Sequence, residues 1–135
     1  MVKVAVLDDW QGVARSSADW SPLLARAKVV FFAQAFTDEN DAAAKLADFE
    51  IVLSMRERTP LPASLINRLP KLRMLGITGV RNASLDTAAC AARGVLVCNT
   101  VGGANSRDAT AELALGLLLA AARGIPSADA NIRAG

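Results

Sequence analysis

The chain has 135 residues, of which 53% are apolar and only 4% aromatic, so it can form one domain with a mainly aliphatic core. Charged residues make up 21%, and 15 basic residues against 13 acidic ones give a net charge of +2. Proteins that bind nucleic acids or membrane surfaces usually carry a clustered excess of basic residues, which this nearly balanced chain does not have. The high apolar content excludes a disordered chain. We therefore expect neither a nucleic-acid partner nor a membrane partner.

Histidine is absent, which excludes Ser-His and Cys-His nucleophile pairs, histidine-ligated metal sites and histidine acid–base catalysis. Cys90 and Cys98 lie in different predicted elements and lack the spacing of zinc ligands, so we expect no metal site. We expect both cysteines to be buried, reduced thiols. The protein that contains them is expected to be cytoplasmic. The start, MVKVAVLDDW, lacks the long apolar run of a signal peptide. The longest apolar stretch, Leu113–Ala122, is too short to span a bilayer.

Short, nearly continuous apolar runs alternate with longer, alanine-rich segments along the chain. Such runs are typical of parallel strands buried on both faces, and they predict strands at Val2–Leu7, Val29–Phe32, Ile51–Met55, Met74–Thr78 and Val95–Cys98. The segments between and after them predict helices at Val13–Ala27, Asp38–Leu46, Pro62–Leu69, Leu85–Arg93 and Arg107–Arg123, the first of them irregular near Ser16–Ser21. Thr37 is the expected N-cap of the second helix, and Gly94 is expected to end the fourth.

Strands that alternate with helices predict an open α/β fold with right-handed crossovers. Five strands in a short chain favour the flavodoxin-like parallel order 2-1-3-4-5, in which ligands bind beyond the carboxyl ends of the strands. The loops expected at that edge are Asp8–Gly12, Ala33–Phe36, Arg56–Pro60, Thr78–Ser84 and Asn99–Ser106. The last predicted helix is apolar on nearly all sides, so we expect it to pack against a second domain or another subunit.

The loop after the third strand carries Arg56, Glu57 and Arg58. Two guanidinium groups at a ligand-binding edge are suited to a carboxylate or a phosphate. Basic residues also outnumber acidic ones by six to one between positions 54 and 81, which favours an anionic ligand. Three of these basic residues are instead interpreted as a solvated helix end and its exit: Arg68, Lys71 and Arg73. For Arg56 and Arg58, ligand contact and a solvated surface both remain open.

Two glycine-containing loops follow the fourth and fifth strands. In the first, Thr78 offers a hydroxyl and Gly79 lets a ligand approach the backbone, although a tight strand-to-helix turn explains the same glycine. In the second, Asn105 is placed to bond a substrate carbonyl or carboxylate at a helix N-terminus, although simple capping by Asn105, Ser106 or Asp108 explains the same loop. The first of these loops has the spacing of neither a dinucleotide-binding fingerprint nor a P-loop. Trp10, next to the expected ligand edge, is interpreted as a packing residue.

The segment from Lys71 to Arg123 resembles the N-terminal part of the D-isomer-specific 2-hydroxyacid dehydrogenases. The resemblance is carried by KLRMLGITGVRN, by RGVLVCNT, and by the pairs NS at 105–106 and AE at 111–112. The first seventy residues are compatible with the same family. The chain departs from the family pattern at Arg81 and Ser84, where acids are usual or common. The resemblance implies a flavodoxin-like substrate domain that faces a Rossmann NAD-binding domain across a cleft.

The resemblance also implies roles for the matching positions. Substrate binding is implied for six residues: Arg56, Glu57, Arg58, Thr78, Gly79 and Asn105. Cofactor binding is implied for three: Thr78, Ser106 and Thr110. None is implied to be catalytic, because the family's glycine-rich fingerprint and its catalytic arginine, glutamate and histidine correspond to positions beyond Gly135.

From this resemblance we expect a flavodoxin-like substrate domain at 1–104, an interdomain and dimerisation helix at 105–124, and the start of a connection to an NAD-binding Rossmann domain at 125–135. The expected function is that of the N-terminal part of an NAD- or NADP-dependent oxidoreductase that interconverts a small D-2-hydroxy acid and its 2-oxo acid. These 135 residues alone are expected to be inactive, and the helix at 108–123 is expected to form a homodimer. The alternative is a standalone flavodoxin-like module that binds small carboxylates or has a regulatory role.

Overall fold

The computed structural model describes residues 1–101 and 108–135, so Asn105 and Ser106 lie outside the described residues. The chain divides into two compact units, Met1–Val101 and Gly102–Gly135. The first unit contains the sheet and its flanking helices, and the second contains two further helices. The two are described separately below.

The first unit is built on a five-stranded parallel sheet. Its strands are β1 (Val2–Val6), β2 (Ala27–Phe31), β3 (Ile51–Ser54), β4 (Met74–Ile77) and β5 (Leu96–Asn99). They lie in the order β2-β1-β3-β4-β5, with every pair parallel, which confirms the predicted flavodoxin-like fold. Because all the strands run the same way, the loops that leave them meet at one edge of the sheet.

Four helices connect these strands: α1 (Ser21–Leu24), α2 (Glu39–Leu46), α3 (Ala63–Ile66) and α4 (Thr87–Ala92). The predicted first helix, Val13–Ala27 with an irregular part near Ser16–Ser21, is helical only at Ser21–Leu24, so its predicted bounds are wrong. The hydroxyls of Ser16 and Ser17 donate to the Val13 carbonyl at 3.0 and 2.7 Å. Serine side chains that bond the local backbone in this way compete with helix formation.

Aspartates determine where two of the helices begin. Asp38, and not the predicted Thr37, caps α2, and its carboxylate accepts from the Asp41 N–H at 2.8 Å. Asp86 caps α4 by accepting from the Ala89 N–H at 2.8 Å, so that helix begins later than predicted. At the other end of α4, Gly94 has a φ of +67°, the left-handed conformation expected of the residue that ends a helix.

The core lies between the central strands and the helices that cover them. Leu46, Val52, Leu65 and Leu75 are completely or almost completely buried. Residues of β3 and β4 alternate between buried and half-buried, and Leu96 on the edge strand β5 is 60% exposed. The expectation that every apolar run is buried on both faces is therefore wrong, most clearly for β5, which pairs with one strand only.

The two cysteines are free thiols in different surroundings. Cys90 is buried on α4, and this burial raises the pKa of its thiol. Cys98 on β5 is only half-buried. The prediction of a buried thiol is confirmed for Cys90 and wrong for Cys98.

The second unit consists of α5 (Ala109–Ala122) and α6 (Ile125–Ala134), with Gly124 between them at a φ of +61°. Residues 125–135, which are expected to start a connection to a further domain, are helical over most of their length. None of the residues described in α5 is buried within this structure. Among the described residues, no single helix is long and apolar enough to cross a membrane; α5 and α6, bent by 60°, reach that length and composition only as a pair.

Shortening a central core residue tests the packing of the sheet. Leu75 on β4 is completely buried, so we expect Leu75→Ala to lower the free energy of unfolding by about 2–5 kcal/mol. Leu24→Ala is the matched control, because Leu24 is more than half exposed and its truncation is expected to change stability by less than about 0.5 kcal/mol. Urea denaturation followed by circular dichroism measures both, and equal losses would contradict the described core.

Candidate functional site

The charged and hydrogen-bonding residues of the candidate site lie on the loops that leave β1, β3, β4 and β5. Asp8 follows β1, Arg56 and Thr59 follow β3, and Thr78 follows β4. Ser54 of β3 is in register with Ile77 of β4, so the residues just beyond these two strands are neighbours. Hydrogen bonds between the loops, described below, join them into one site at the carboxyl edge.

The backbone of Arg56 is held from both sides. Its φ is +55°, a left-handed conformation that costs a non-glycine residue about 1–2 kcal/mol. Its N–H donates to the Thr78 Oγ1 at 3.0 Å, and its carbonyl accepts from the Asn82 Nδ2 at 2.7 Å. Both partners come from the loop after β4, so that loop fixes the conformation of the arginine after β3.

The Arg56 side chain is exposed and lies beside Gly79. Gly79 has a φ of +106°, and a Cβ on it would lie 2.8 Å from the Arg56 Nη1. The missing side chain therefore leaves the space in which the guanidinium lies. Within residues 1–101 and 108–135, no carboxylate forms an ion pair with Arg56. An exposed guanidinium in this position can bind an anion.

Arg58 points to a different part of the edge. Its Nη1 donates to the Asp8 carbonyl at 3.1 Å, and its Cζ lies 5.2 Å from the centre of the Trp10 ring. Arg58 thus links the loop after β3 to the end of β1, instead of lying beside Arg56 as a second arm of one fork. Trp10 is 61% exposed, so its interpretation as a packing residue is wrong.

Two buried acids lie at the end of β1. The Asp8 carboxylate accepts from the Thr59 Oγ1 at 2.9 and 3.1 Å, and Asp8 itself has a φ of +60°. Asp9 accepts from the Ala14 N–H at 3.0 Å. A buried carboxylate needs such donors, because an unpaired charge in the protein interior is costly. The loop after β3 is therefore attached to Asp8 twice. Thr59 bonds the Asp8 carboxylate, and Arg58 bonds the Asp8 carbonyl.

The polar groups of Thr78 and Gly79 already have partners in this structure. The Thr78 hydroxyl accepts from Arg56 and lies 3.3 Å from the Ser54 carbonyl oxygen, to which the Thr78 N–H also donates at 3.2 Å. The Gly79 N–H donates to the Thr100 Oγ1 at 2.8 Å. A ligand would reach these backbone groups only by displacing a protein partner. What the two residues do here is fix the position of Arg56.

A cleft lies between the loop after β3 and the helices α2 and α3. It has a volume of about 300 Å³ and is mostly apolar, with Phe36, Leu65, Arg58 and Thr59 among its walls. Among the described residues, neither Arg56 nor Gly79 lines it. The exposed guanidinium therefore belongs to the open edge of the sheet and not to this cleft.

The sequence of residues 4–131 matches the family described as D-isomer specific 2-hydroxyacid dehydrogenase, catalytic domain. The chain belongs to this family. A stretch of 81 residues is 42% identical to a D-3-phosphoglycerate dehydrogenase of Mycobacterium tuberculosis, and 78 residues are 41% identical to a glyoxylate/hydroxypyruvate reductase of Arabidopsis thaliana. These matches cover 60% and 58% of this chain, but only 15% and 24% of those relatives.

Solved dehydrogenase structures have the same fold. A phosphoglycerate oxidoreductase of Vibrio cholerae covers the whole chain at a TM-score of 0.82 and 36% identity. A second structure, described as a D-3-phosphoglycerate dehydrogenase of Ralstonia solanacearum, covers 93% of the chain at a TM-score of 0.78 and 38% identity. The chain spans 42% and 37% of these two proteins. It thus corresponds to less than half of each solved relative.

The structure places some of the residues predicted for a dehydrogenase site together and leaves others apart. Five of the six substrate-binding predictions lie on the loops after β3 and β4: Arg56, Glu57, Arg58, Thr78 and Gly79. Glu57 is exposed. Thr110 is exposed in the first turn of α5, within the second unit. Asn105 and Ser106 lie outside the described residues, so their predicted roles stay predictions.

Four residues that build this edge site were not predicted to belong to it: Asp8, Thr59, Asn82 and Thr100. Asn82 had a local signal, because an asparagine two residues before a serine in a strand-to-helix loop can form an Asx turn. Its Oδ1 accepts from the Ser84 N–H at 2.9 Å, as in such a turn. The other three act on residues distant in sequence, which local patterns do not reveal.

The basic residues interpreted as surface groups do lie away from the edge site. Lys71 bonds Asp48 at 2.5 Å, Arg73 bonds Glu50 at 3.3 Å, and Arg68 lies 3.6 Å from Glu39. Hydrogen bonds from Lys71 and from Lys3 lower the pKa of Asp48. These pairs are exposed, and exposed pairs of this kind contribute little to stability. The interpretation of these three residues as surface groups is confirmed.

Removing the hydroxyl that bonds Asp8 tests how the loop after β3 is attached. Thr59→Val keeps the shape of the side chain but leaves a buried carboxylate without its donor, so we expect a loss of about 1–3 kcal/mol in unfolding free energy. Thr87→Val, at an exposed position on α4, is the control and is expected to have little effect. Urea denaturation measures both; unchanged stability of Thr59→Val would contradict the attachment.

Proposed function

We propose that this chain binds the acid group of a small D-2-hydroxy acid, or of the matching 2-oxo acid, for an NAD- or NADP-dependent oxidoreductase. The observation that carries the proposal is the exposed Arg56 guanidinium, held beside Gly79 at the carboxyl edge of the sheet. A guanidinium presents its donors in a plane and bonds a carboxylate through two of them. The relatives named above support the class of substrate, since their names concern phosphoglycerate, glyoxylate and hydroxypyruvate.

The redox step of this proposed reaction needs groups that the 135 residues do not contain. Nicotinamide, when bound, supplies or accepts the hydride, and a proton must move to or from the substrate oxygen. The sequence contains no histidine for that proton and no glycine-rich fingerprint for the cofactor phosphates. We propose that a further NAD(P)-binding domain supplies both, and that Thr78, Ser106 and Thr110 contribute to binding the cofactor. The contribution of this chain is to bind and orient the acid.

Replacing Arg56 in the protein expressed from its whole reading frame tests the proposal. Arg56→Gln removes the charge and is expected to raise KM for the acid by about one to two orders of magnitude, as for a lost charged hydrogen bond. Arg56→Lys keeps the positive charge but cannot bind a carboxylate through two parallel hydrogen bonds, so a smaller rise in the acid KM is expected. KM for the cofactor is expected to stay the same in both variants. Steady-state kinetics with each substrate varied in turn gives all these values.

Arg68→Gln is the matched control, because it removes the same charge from an exposed position that faces Glu39. It is expected to leave both KM values unchanged. An unchanged acid KM in Arg56→Gln would contradict the proposed role of Arg56. A protein that binds small carboxylates but never oxidises NADH or NADPH would favour the standalone binding module instead.

We also propose that α5 mediates association with a second copy of the chain. Its leucines are all more than half exposed in this structure, and they fall on every side of the helix: Leu113, Leu115, Leu117, Leu118 and Leu119. A helix with apolar residues on all sides is normally buried all round. A dimer that covers these leucines removes a large apolar surface from water, which favours association.

Charging the helix tests this association. Leu115→Glu combined with Leu118→Glu places two carboxylates in the proposed interface, and we expect the dimer to dissociate into monomers at micromolar concentrations. Leu24→Glu, on the exposed surface of α1, is the control and is expected to leave the dimer intact. Sedimentation velocity across a hundredfold range of concentration measures both. An unmodified protein that stays monomeric over that range would contradict the proposal.

A further inference from the structure

We infer that Asn82 is a positioning residue that sets the affinity for the acid group by holding Arg56, without contacting the substrate itself. This inference rests on the proposed function of Arg56. The juxtaposition that carries it is the 2.7 Å hydrogen bond from the Asn82 Nδ2 to the Arg56 carbonyl, between loops that follow different strands.

The hydrogen bonds of Asn82 fix the orientation of its side-chain amide. Its Oδ1 accepts from the Ser84 N–H at 2.9 Å and from the Ser84 Oγ at 2.7 Å. Only the Nδ2 is then left to face the Arg56 carbonyl, as a donor must. Asn82 is only 9% exposed, so its amide is bonded to protein groups and shielded from solvent. A side chain held in this way acts as a rigid support for its neighbour.

Arg56 needs such a support because its backbone conformation is unfavourable. A non-glycine residue with a φ of +55° stays there only when its surroundings hold it, and residues of this kind cluster at functional sites. Thr78 holds the Arg56 N–H and Asn82 holds its carbonyl. Without the hydrogen bond from Asn82, the peptide after Arg56 is free to rotate, and the Arg56 guanidinium is no longer held beside Gly79. The bound anion then loses a preorganised partner.

Asn82→Ser is the variant that separates these roles. A serine hydroxyl can form the same type of local turn with Ser84, more weakly, but is too short to reach the Arg56 carbonyl. We expect KM for the acid to rise about three- to tenfold, the range for one neutral hydrogen bond, with KM for the cofactor and kcat within twofold of the unmodified enzyme. Asn67→Ser, at the exposed end of α3, is the matched control and is expected to change none of them.

The double variant tests whether Asn82 acts through Arg56. In an Arg56→Gln background, Asn82→Ser is expected to cause no further rise in KM, because residues that act as one unit are not additive. Effects that multiply in the double variant would overturn the inference, as would an unchanged KM in Asn82→Ser alone. If Asn82→Ser does not fold, Asn82→Asp keeps the shape and the acceptor for Ser84 while losing the donor, and the same comparison applies.

The two proposals fail in different ways. If Arg56→Gln leaves the acid KM unchanged, the proposed function of Arg56 is wrong. If Arg56→Gln raises that KM while Asn82→Ser does not, Arg56 binds the acid and only the positioning role of Asn82 is wrong.

Discussion

The left-handed backbone of Arg56 is the constraint on which the edge site depends. Its conformation is unfavourable for any residue with a side chain, and two hydrogen bonds from the neighbouring loop compensate for it. Gly79 leaves the space that the guanidinium occupies. A positive group is thereby held at the open end of the sheet, where a parallel α/β fold binds its ligands.

The order of the strands makes this arrangement possible. Because β3 and β4 are adjacent and parallel, the residues after them meet at one edge, and Thr78 lies within hydrogen-bonding distance of Arg56. On the other side β1 brings Asp8 to the same loop, where Thr59 and Arg58 bond it. The loop after β3 is thus attached to both neighbouring strands, which limits its movement around Arg56.

The sheet could be predicted from the sequence because short apolar runs, typical of buried strands, alternate along the chain with longer alanine-rich segments, typical of helices. Arg56 could be chosen as a candidate because it follows a strand. The hydrogen-bond partners of Arg56 could not be predicted, because Thr78 and Asn82 lie 22 and 26 residues from it along the chain. Two helices begin later than predicted because side chains bond the local backbone. Serines before α1 compete with helix formation, and Asp86 caps the start of α4.

A crystal structure of the protein from its whole reading frame, with oxalate bound as a small dicarboxylate analogue of a 2-oxo acid, tests the central claim most directly. The account predicts an oxalate carboxylate on the Arg56 guanidinium, with the Asn82 Nδ2 still bonded to the Arg56 carbonyl. Oxalate bound away from Arg56, or an Arg56 backbone that has left the left-handed region, would contradict it.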